Sequence, residues 1–156
     1  MKTILVLCLM AVPAAFQEVP TGCVTLKSAH SHKYLVTASP YDKDRRNVAF
    51  FGEKQNWIVN QFGSMNDEYT IMHESSKEYL YTAKYTASGG QKVFTWTPKE
   101  LVRNGIWQIK RSGNGFSIYN SQYKQCLKAV SDLGSVHTEA QKSCDGDLFK
   151  WKMFKC

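Results

Sequence analysis

The histidines are the first residues to test for chemistry, because this side chain is the commonest metal ligand and general base. Of His30, His32, His73 and His137, the first two flank Ser31 and could touch one metal ion. A metal site needs three or four ligands, and no cysteine or carboxylate lies beside this pair. No nucleophile-elbow, zinc-protease or paired-acid motif occurs. The sequence therefore predicts no metal, no cofactor and no enzymatic activity.

The cysteines indicate disulfide chemistry. Cys8 lies in a predicted leader, which leaves Cys23, Cys126, Cys144 and Cys156. Four cysteines in a secreted chain allow three pairings into two disulfides. If the first and last strands are neighbours, Cys23 pairs with Cys156 and joins the chain ends. Cys126 and Cys144 would then close a local loop.

Residues 1–15 have the pattern of a secretory signal peptide. Lys2 precedes the apolar run Ile4–Val12, and Ala14 and Ala15 supply the small-residue end. The run is shorter than the roughly 20 apolar residues that a membrane span needs. We therefore expect a secreted, extracellular protein with no membrane span, and an uncleaved anchor is the alternative.

The charge is mildly basic. The 156 residues carry a formal charge of +7, which becomes +6 without the leader because Lys2 is the only charged residue in it. This charge favours acidic partners such as sulfated glycans, but it does not amount to a nucleic-acid-binding tail. The remaining residues, 16–156, are enough for a single domain.

A four-strand pattern occurs three times, in residues 23–67, 68–114 and 115–156. Short apolar runs rich in β-preferring residues alternate with Gly, Asn, Asp and Ser turns, as in β-sheet proteins. The landmarks shared by the copies are the strand starts Val24, Tyr69 and Phe116, the leucines Leu35, Leu80 and Leu127, and the closing Trp57, Trp107 and Trp151. One such unit cannot bury its own apolar face, so the three must share a core. We expect the recurrent leucines and tryptophans to be core residues rather than ligand platforms.

These residues resemble the β-trefoil fold and, within it, the ricin-type lectin family. In that family each repeat has a Cys-Leu or Tyr-Leu pair and a closing Gln-x-Trp, which Gln55-Asn56-Trp57 carries intact. Cys126-Leu127 followed by Cys144 resembles the family's disulfide-linked subdomain. The tyrosine–leucine pairs and Val93–Trp96 also resemble salivary proteins of blood-feeding flies. The resemblance implies an all-β, pseudo-threefold β-trefoil over residues 16–156, with a glycan or glycoprotein as ligand.

Ricin-type sugar pockets use a carboxylate after the Cys-Leu pair, an aromatic ring in the third strand and an amide near the closing Trp. The ring is needed because the apolar face of a pyranose stacks on it. In repeat order, the carboxylate position holds Val36, Tyr81 and Lys128. The aromatic position holds Phe51, Trp96 and Lys142. The amide position holds Gln55 in the first repeat, a nearby Asn104 in the second and Phe149 in the third. The absence of an acid at all three carboxylate positions is a departure from the family.

The second repeat is the predicted sugar site. Trp96 would be the stacking ring, with Tyr81 and Asn104 as hydrogen-bond partners. Phe51 and Gln55 are the candidates in the first repeat. We expect Gln55 to serve mainly by tying the tryptophan strand to a backbone turn.

Basic residues in the last third of the chain indicate an alternative function. Lys128, Lys142, Lys150 and Lys152 could bind a sulfated glycan or a host protein, as in the fibroblast growth factors, which are trefoils that bind heparin through this region. A solvated surface is the competing interpretation of these lysines. The long connection 97–105 offers a further alternative, an inhibitory loop like that of the Kunitz-type trefoils.

Overall fold

The computed structural model describes residues 18–65, 67–87, 89–130, 135–139 and 144–156. The predicted signal peptide and Lys142 lie outside these ranges. Within them the chain forms twelve β-strands. In chain order these are β1 Gly22–Ser28, β2 Tyr34–Pro40, β3 Arg45–Phe51, β4 Trp57–Gln61, β5 Glu68–His73, β6 Tyr79–Ala87, β7 Gly90–Trp96, β8 Trp107–Ser112, β9 Gly115–Asn120, β10 Gln125–Val130, β11 Ser135–Glu139 and β12 Lys150–Lys155.

Six of the strands close into a barrel. Antiparallel pairing runs from β1 to β4, β5, β8, β9, β12 and back to β1. The first and last strands are neighbours over five residue pairs, from Val24 opposite Lys155 to Ser28 opposite Trp151. Closure leaves no unpaired sheet edge on this part of the molecule.

The other six strands form three hairpins that cap one end of the barrel. They are β2–β3, β6–β7 and β10–β11. Strands β3, β7 and β11 also pair with one another in a triangle. The predicted all-β architecture of three four-stranded repeats, the β-trefoil, is confirmed.

One apolar core fills the barrel and the cap, and the three repeats contribute equivalent side chains to it. The closing tryptophans are fully buried. The indole Nε1 of Trp57, Trp107 and Trp151 donates to the carbonyl oxygen of Leu35, Leu80 and Leu127 at 2.9, 2.9 and 3.1 Å. Each bond ties a barrel strand to the hairpin of its own repeat, so the predicted core role of these residues is confirmed.

Both predicted disulfides are present. Cys23 and Cys156 are bonded, with Cα atoms 5.5 Å apart, and so are Cys126 and Cys144, with Cα atoms 5.8 Å apart. The backbone N–H of Cys156 also donates to the carbonyl oxygen of Cys23 at 3.2 Å. The pairing follows from the adjacency of β1 and β12.

The extra residues of the second repeat lie between β7 and β8. They form an irregular segment that ends in a 3₁₀ turn, Arg103–Gly105. The Arg103 guanidinium pairs with the Glu68 carboxylate at 2.8 Å, which ties this turn to the start of β5. A second 3₁₀ turn, Asp147–Phe149, precedes β12.

Candidate functional site

The second repeat carries an apolar cluster that is separate from the main core. Tyr81 and Ala83 of β6 and Phe94 of β7 are buried in it, and Trp96 packs against them from the end of β7. The Tyr81 and Trp96 ring centroids are 5.3 Å apart, with the ring planes inclined at 51°. At the matching places the first repeat has the smaller Val36 and Ala49. The second repeat therefore has a larger aromatic surface at these places than the first repeat.

A cleft of about 440 Å³ opens above this cluster. Its walls include Tyr81, Trp96 and Asn104, so the structure brings the three residues predicted for the second repeat together. Trp96 is partly exposed, whereas Tyr81 is only 7 % exposed and forms part of the floor. Tyr85, which is 45 % exposed, lies at the rim.

Asn104 has a mainly structural environment. Its Nδ2 donates to the carbonyl oxygen of Thr82 at 3.0 Å, which holds the Arg103–Gly105 turn against β6. Its Oδ1 and the Thr82 Oγ1 are buried without a hydrogen-bond partner in the part of the chain that the structure describes. Asn104 therefore shapes the wall of the cleft through its Nδ2, while its buried Oδ1 accepts no hydrogen bond from the described residues.

The first repeat completes the cleft through the turn between β2 and β3. Asp42, Asp44 and Arg45 line the same cleft as Trp96. They reach it because β3 pairs with β7, with Arg45 directly across from Trp96. The carboxylate that the second repeat lacks at position 81 is thus present in the cleft, but it comes from the neighbouring repeat.

Arg45 fixes the geometry of this turn. Its Nε donates to Asp42 Oδ2 at 2.7 Å, and Nη2 makes a second bond to the same oxygen. Its guanidinium also lies over the rings of Tyr41, Tyr85 and Phe94, at 5.0, 5.2 and 5.3 Å from their centroids. The other Asp42 oxygen accepts the backbone N–H groups of Asp44 at 3.0 Å and Arg45 at 2.8 Å. The turn is therefore held rigidly against the aromatic cluster.

The contacts of Arg45 and the burial of Tyr81 shift the pKa values of residues in the cleft. The hydrogen bond from Arg45 lowers the pKa of Asp42, and the same contact raises the pKa of Arg45. Burial raises the pKa of Tyr81, which keeps its phenol neutral. Asp44 makes no ion pair within the described residues, so its carboxylate remains available in the cleft. Together these residues line the cleft with an aromatic ring and with a carboxylate that can accept hydrogen bonds.

The candidates in the first repeat lie outside the cleft. Phe51 is 51 % exposed at the end of β3. Gln55 Oε1 accepts the backbone N–H of Thr37 at 2.7 Å and the Thr37 hydroxyl at 3.2 Å. Gln55 thus ties the approach to β4 to β2, as expected for its structural role.

The predicted basic residues have different surroundings. Lys150 and Lys152 lie on β12, whereas Lys128 lies on β10 with its Nζ 5.6 Å from the centroid of the Phe149 ring. Lys142 is outside the described residues. Strand β10 does not pair with β12 in the described sheet, so these lysines do not form one row.

The sequence-based prediction missed Asp42, Asp44, Arg45 and Tyr85. A usable signal existed, because threefold symmetry makes the third strand of each repeat meet the third strands of the other two. That rule places the β2–β3 turn beside Trp96.

Metal binding and membrane insertion can be examined for the residues that the structure describes. They contain no group of three or more His, Cys, Asp or Glu side chains placed to hold a metal ion. None of their helical segments has the length and apolar character needed to cross a membrane.

The closed barrel and its cap of three hairpins define a β-trefoil protein. No family model and no curated protein matches the sequence. Two solved salivary proteins from Culex quinquefasciatus, described as members of the Cysteine and Tryptophan-Rich (CWRC) family, are similar over 89 % of this chain and 96 % of theirs. They are 32 % and 30 % identical to it, with TM-scores of 0.80 and 0.76. The chain belongs to the Cysteine and Tryptophan-Rich (CWRC) family of salivary proteins.

More distant structures share the fold alone. The designed threefold-symmetric protein ThreeFoil is 20 % identical, with a TM-score of 0.73, over 86 % of this chain and 99 % of its own. A Polyporus squamosus lectin is 17 % identical, with a TM-score of 0.72, over 90 % of this chain and 50 % of its own.

Proposed function

We propose that this protein is a secreted, non-enzymatic carbohydrate-binding protein whose ligand lies in the cleft of the second repeat. The observation that carries the proposal is that a partly exposed aromatic ring, Trp96, and a carboxylate without an ion pair among the described residues, Asp44, line the same cleft. Carbon-bound hydrogens make one face of a pyranose apolar, and this face stacks on an indole. Neighbouring sugar hydroxyls donate to a carboxylate, and such charge-assisted bonds are the stronger kind.

The cleft is also preorganised. Arg45 and Asp42 hold the β2–β3 turn in place, so a ligand does not have to order it. Binding to a preformed site avoids the entropy cost of fixing loops and side chains. Tyr85 and Val102 at the rim provide apolar contact for a second sugar unit.

Relatives of the same fold support the proposal. The Polyporus squamosus lectin has been solved with the epitope Neu5Aca2-6Galb1-4GlcNAc bound, which indicates that a β-trefoil can hold a glycan. Secretion is supported by the two disulfides and by the salivary relatives. We retain residues 1–15 as the predicted signal peptide.

A glycan array tests this function. We expect the purified parent protein to bind at least one neutral glycan, and Trp96→Ala to weaken that binding about tenfold, since an aromatic contact contributes about 0.5–1.5 kcal/mol beyond its buried area. Asp44→Asn should weaken it by a similar or larger factor, because a hydrogen bond to a charged group contributes about 1.5–3 kcal/mol.

Phe51→Ala is the matched control, because Phe51 occupies the same position in the first repeat and lies outside the cleft. It should leave binding unchanged. Loss of binding in Phe51→Ala but not in Trp96→Ala would place the site in the first repeat. No glycan signal from the parent protein would end the carbohydrate-binding proposal.

A further inference from the structure

A row of lysines crosses the barrel wall where the two ends of the chain meet. Lys27 of β1 lies directly opposite Lys152 of β12. Lys150 is two residues before Lys152 and on the same outward face, because side chains alternate along a strand. On the other side Lys27 lies opposite Tyr34 of β2. We call Lys27, Tyr34, Lys54, Lys150 and Lys152 the Tyr34 strip.

Tyr34 makes cation–π contacts with two of these lysines. The Nζ atoms of Lys27 and Lys54 lie 5.3 and 5.6 Å from the centroid of its ring. A cation over an aromatic face is attracted to the ring, so these flexible side chains are held in one region. Tyr34 itself is partly exposed, so its ring can also contact a ligand.

Carboxylates neutralise little of the strip. Within the described residues, Lys27, Lys54 and Lys152 have no carboxylate oxygen within 4.0 Å. Lys150 Nζ is 3.8 Å from an oxygen of Asp147, whose side chain is 68 % exposed. Like charges directly opposite one another on a sheet destabilise it. A bound anion between Lys27 and Lys152 would remove that repulsion.

The dimensions favour a chain-like ligand over a single anion. Neighbouring strands are about 4.8 Å apart and alternate residues along one strand are about 6.6 Å apart, so the strip is more than 10 Å long. Anionic phospholipids face the cytoplasm, whereas disulfide-bonded chains belong to the oxidising exterior. A secreted cationic surface therefore meets sulfated polysaccharide as its main polyanion.

We propose that the Tyr34 strip is a binding site for a sulfated polysaccharide, distinct from the aromatic cleft of the second repeat. Sulfate groups on successive sugars bind Lys54, Lys27, Lys152 and Lys150 in turn, and Tyr34 contacts the sugar between them. This site uses β1, β2, β12 and the approach to β4, and it shares no residue with the lining of the cleft. It does not depend on the neutral-glycan function proposed above.

Calorimetry with a heparin-derived octasaccharide and an unsulfated octasaccharide of the same backbone tests the strip. In 0.15 M salt the parent protein should bind the sulfated chain at least tenfold more tightly than the unsulfated one. The double variant Lys27→Gln/Lys152→Gln should bind the sulfated chain at least tenfold more weakly. Its binding should also depend less steeply on salt, because fewer counterions are released.

The matched control is Lys43→Gln/Lys99→Gln, which removes two exposed lysines that lie outside the strip. This control variant should bind the sulfated octasaccharide less than twofold more weakly than the parent protein. Equal losses in the two double variants would show that net charge alone attracts the ligand, and would overturn the proposal. No preference of the parent protein for the sulfated chain would also overturn it.

Two more measurements separate the strip from its alternatives. Trp96→Ala should keep full affinity for the sulfated octasaccharide, and a loss there would mean that the cleft is the binding site. Vesicles containing phosphatidylserine and a 20-base single-stranded DNA should bind more weakly than the octasaccharide. Tighter binding to either probe would make the proposed partner wrong.

Discussion

At the scale of single residues, His73 shows how burial changes the behaviour of a titrating group. Its side chain is only 6 % exposed, and its ring lies 5.2 Å from that of Trp57. Its Nδ1 is 2.9 Å from the Ser76 hydroxyl, which donates to Glu78. Burial lowers the pKa of His73 below its ordinary 6.5, while Glu78 acts in the opposite direction.

This shift predicts acid sensitivity. The unfolded chain takes up a proton on His73 near pH 6.5, whereas the native protein does not do so until a lower pH. The free energy of unfolding should therefore be highest above pH 6.5. It should fall by up to about 1.4 kcal/mol per pH unit as the pH drops towards the native pKa.

Urea titrations at pH 7.5 and 5.5 would measure this loss for the parent protein and for His73→Gln. The variant should be less stable at pH 7.5 but lose less stability between the two pH values. The same pH dependence in both proteins would show that His73 does not cause it.

At the scale of secondary-structure elements, the indole bonds join the barrel to the cap. Trp107 begins β8 and is fully buried, and its N–H reaches the Leu80 carbonyl of β6 at 2.9 Å. Trp57 and Trp151 make the same bond in the other two repeats, which explains why a tryptophan closes each repeat. In each hairpin one leucine carbonyl accepts the indole N–H of the tryptophan of the same repeat.

Trp107→Phe should destabilise the protein by about 1–3 kcal/mol from the lost hydrogen bond alone, because the Leu80 carbonyl is left buried without a donor. The lost ring volume adds a cavity cost. Urea unfolding at pH 7.5 measures the change. Trp96→Phe is the control and should stay within about 0.5 kcal/mol, because Trp96 is partly exposed. Equal effects at the two positions would contradict a special role for the indole bond.

At the scale of the whole molecule, barrel closure depends on joining the ends of the chain. Strands β1 and β12 pair, and the Cys23–Cys156 disulfide lies beside that pairing and spans 133 residues of sequence. The Cys126–Cys144 disulfide spans only 18. In the chain-entropy model the longer loop restricts the unfolded chain more.

We therefore expect Cys23→Ala/Cys156→Ala to lower the free energy of unfolding by about 4–5 kcal/mol and Cys126→Ala/Cys144→Ala by about 3 kcal/mol. Urea titrations of the two double variants under non-reducing conditions provide the comparison. A larger loss from the short-loop variant would show that local strain or packing, rather than loop entropy, controls the contribution of the disulfides.

The sequence by itself determined the repeat, the strands, the core leucines and tryptophans and, once the first and last strands are neighbours, the disulfides. These features are local or periodic, so spacing along the chain reveals them. It also predicted one sugar site with Trp96 as the stacking ring and Tyr81 as a hydrogen-bond partner, because both occupy pocket positions of the ricin-type pattern in the second repeat.

Only the tertiary structure decided what faces that pair. Asp42 and Arg45 precede Trp96 by about fifty residues and reach it through the pairing of β3 with β7. Lys27 and Lys152 lie near opposite ends of the chain and become neighbours only when the barrel closes. Spacing within a repeat does not by itself show which residues of different repeats meet, because those contacts arise only when the three copies assemble around the threefold axis. The cleft and the Tyr34 strip therefore depend on how the three copies are joined.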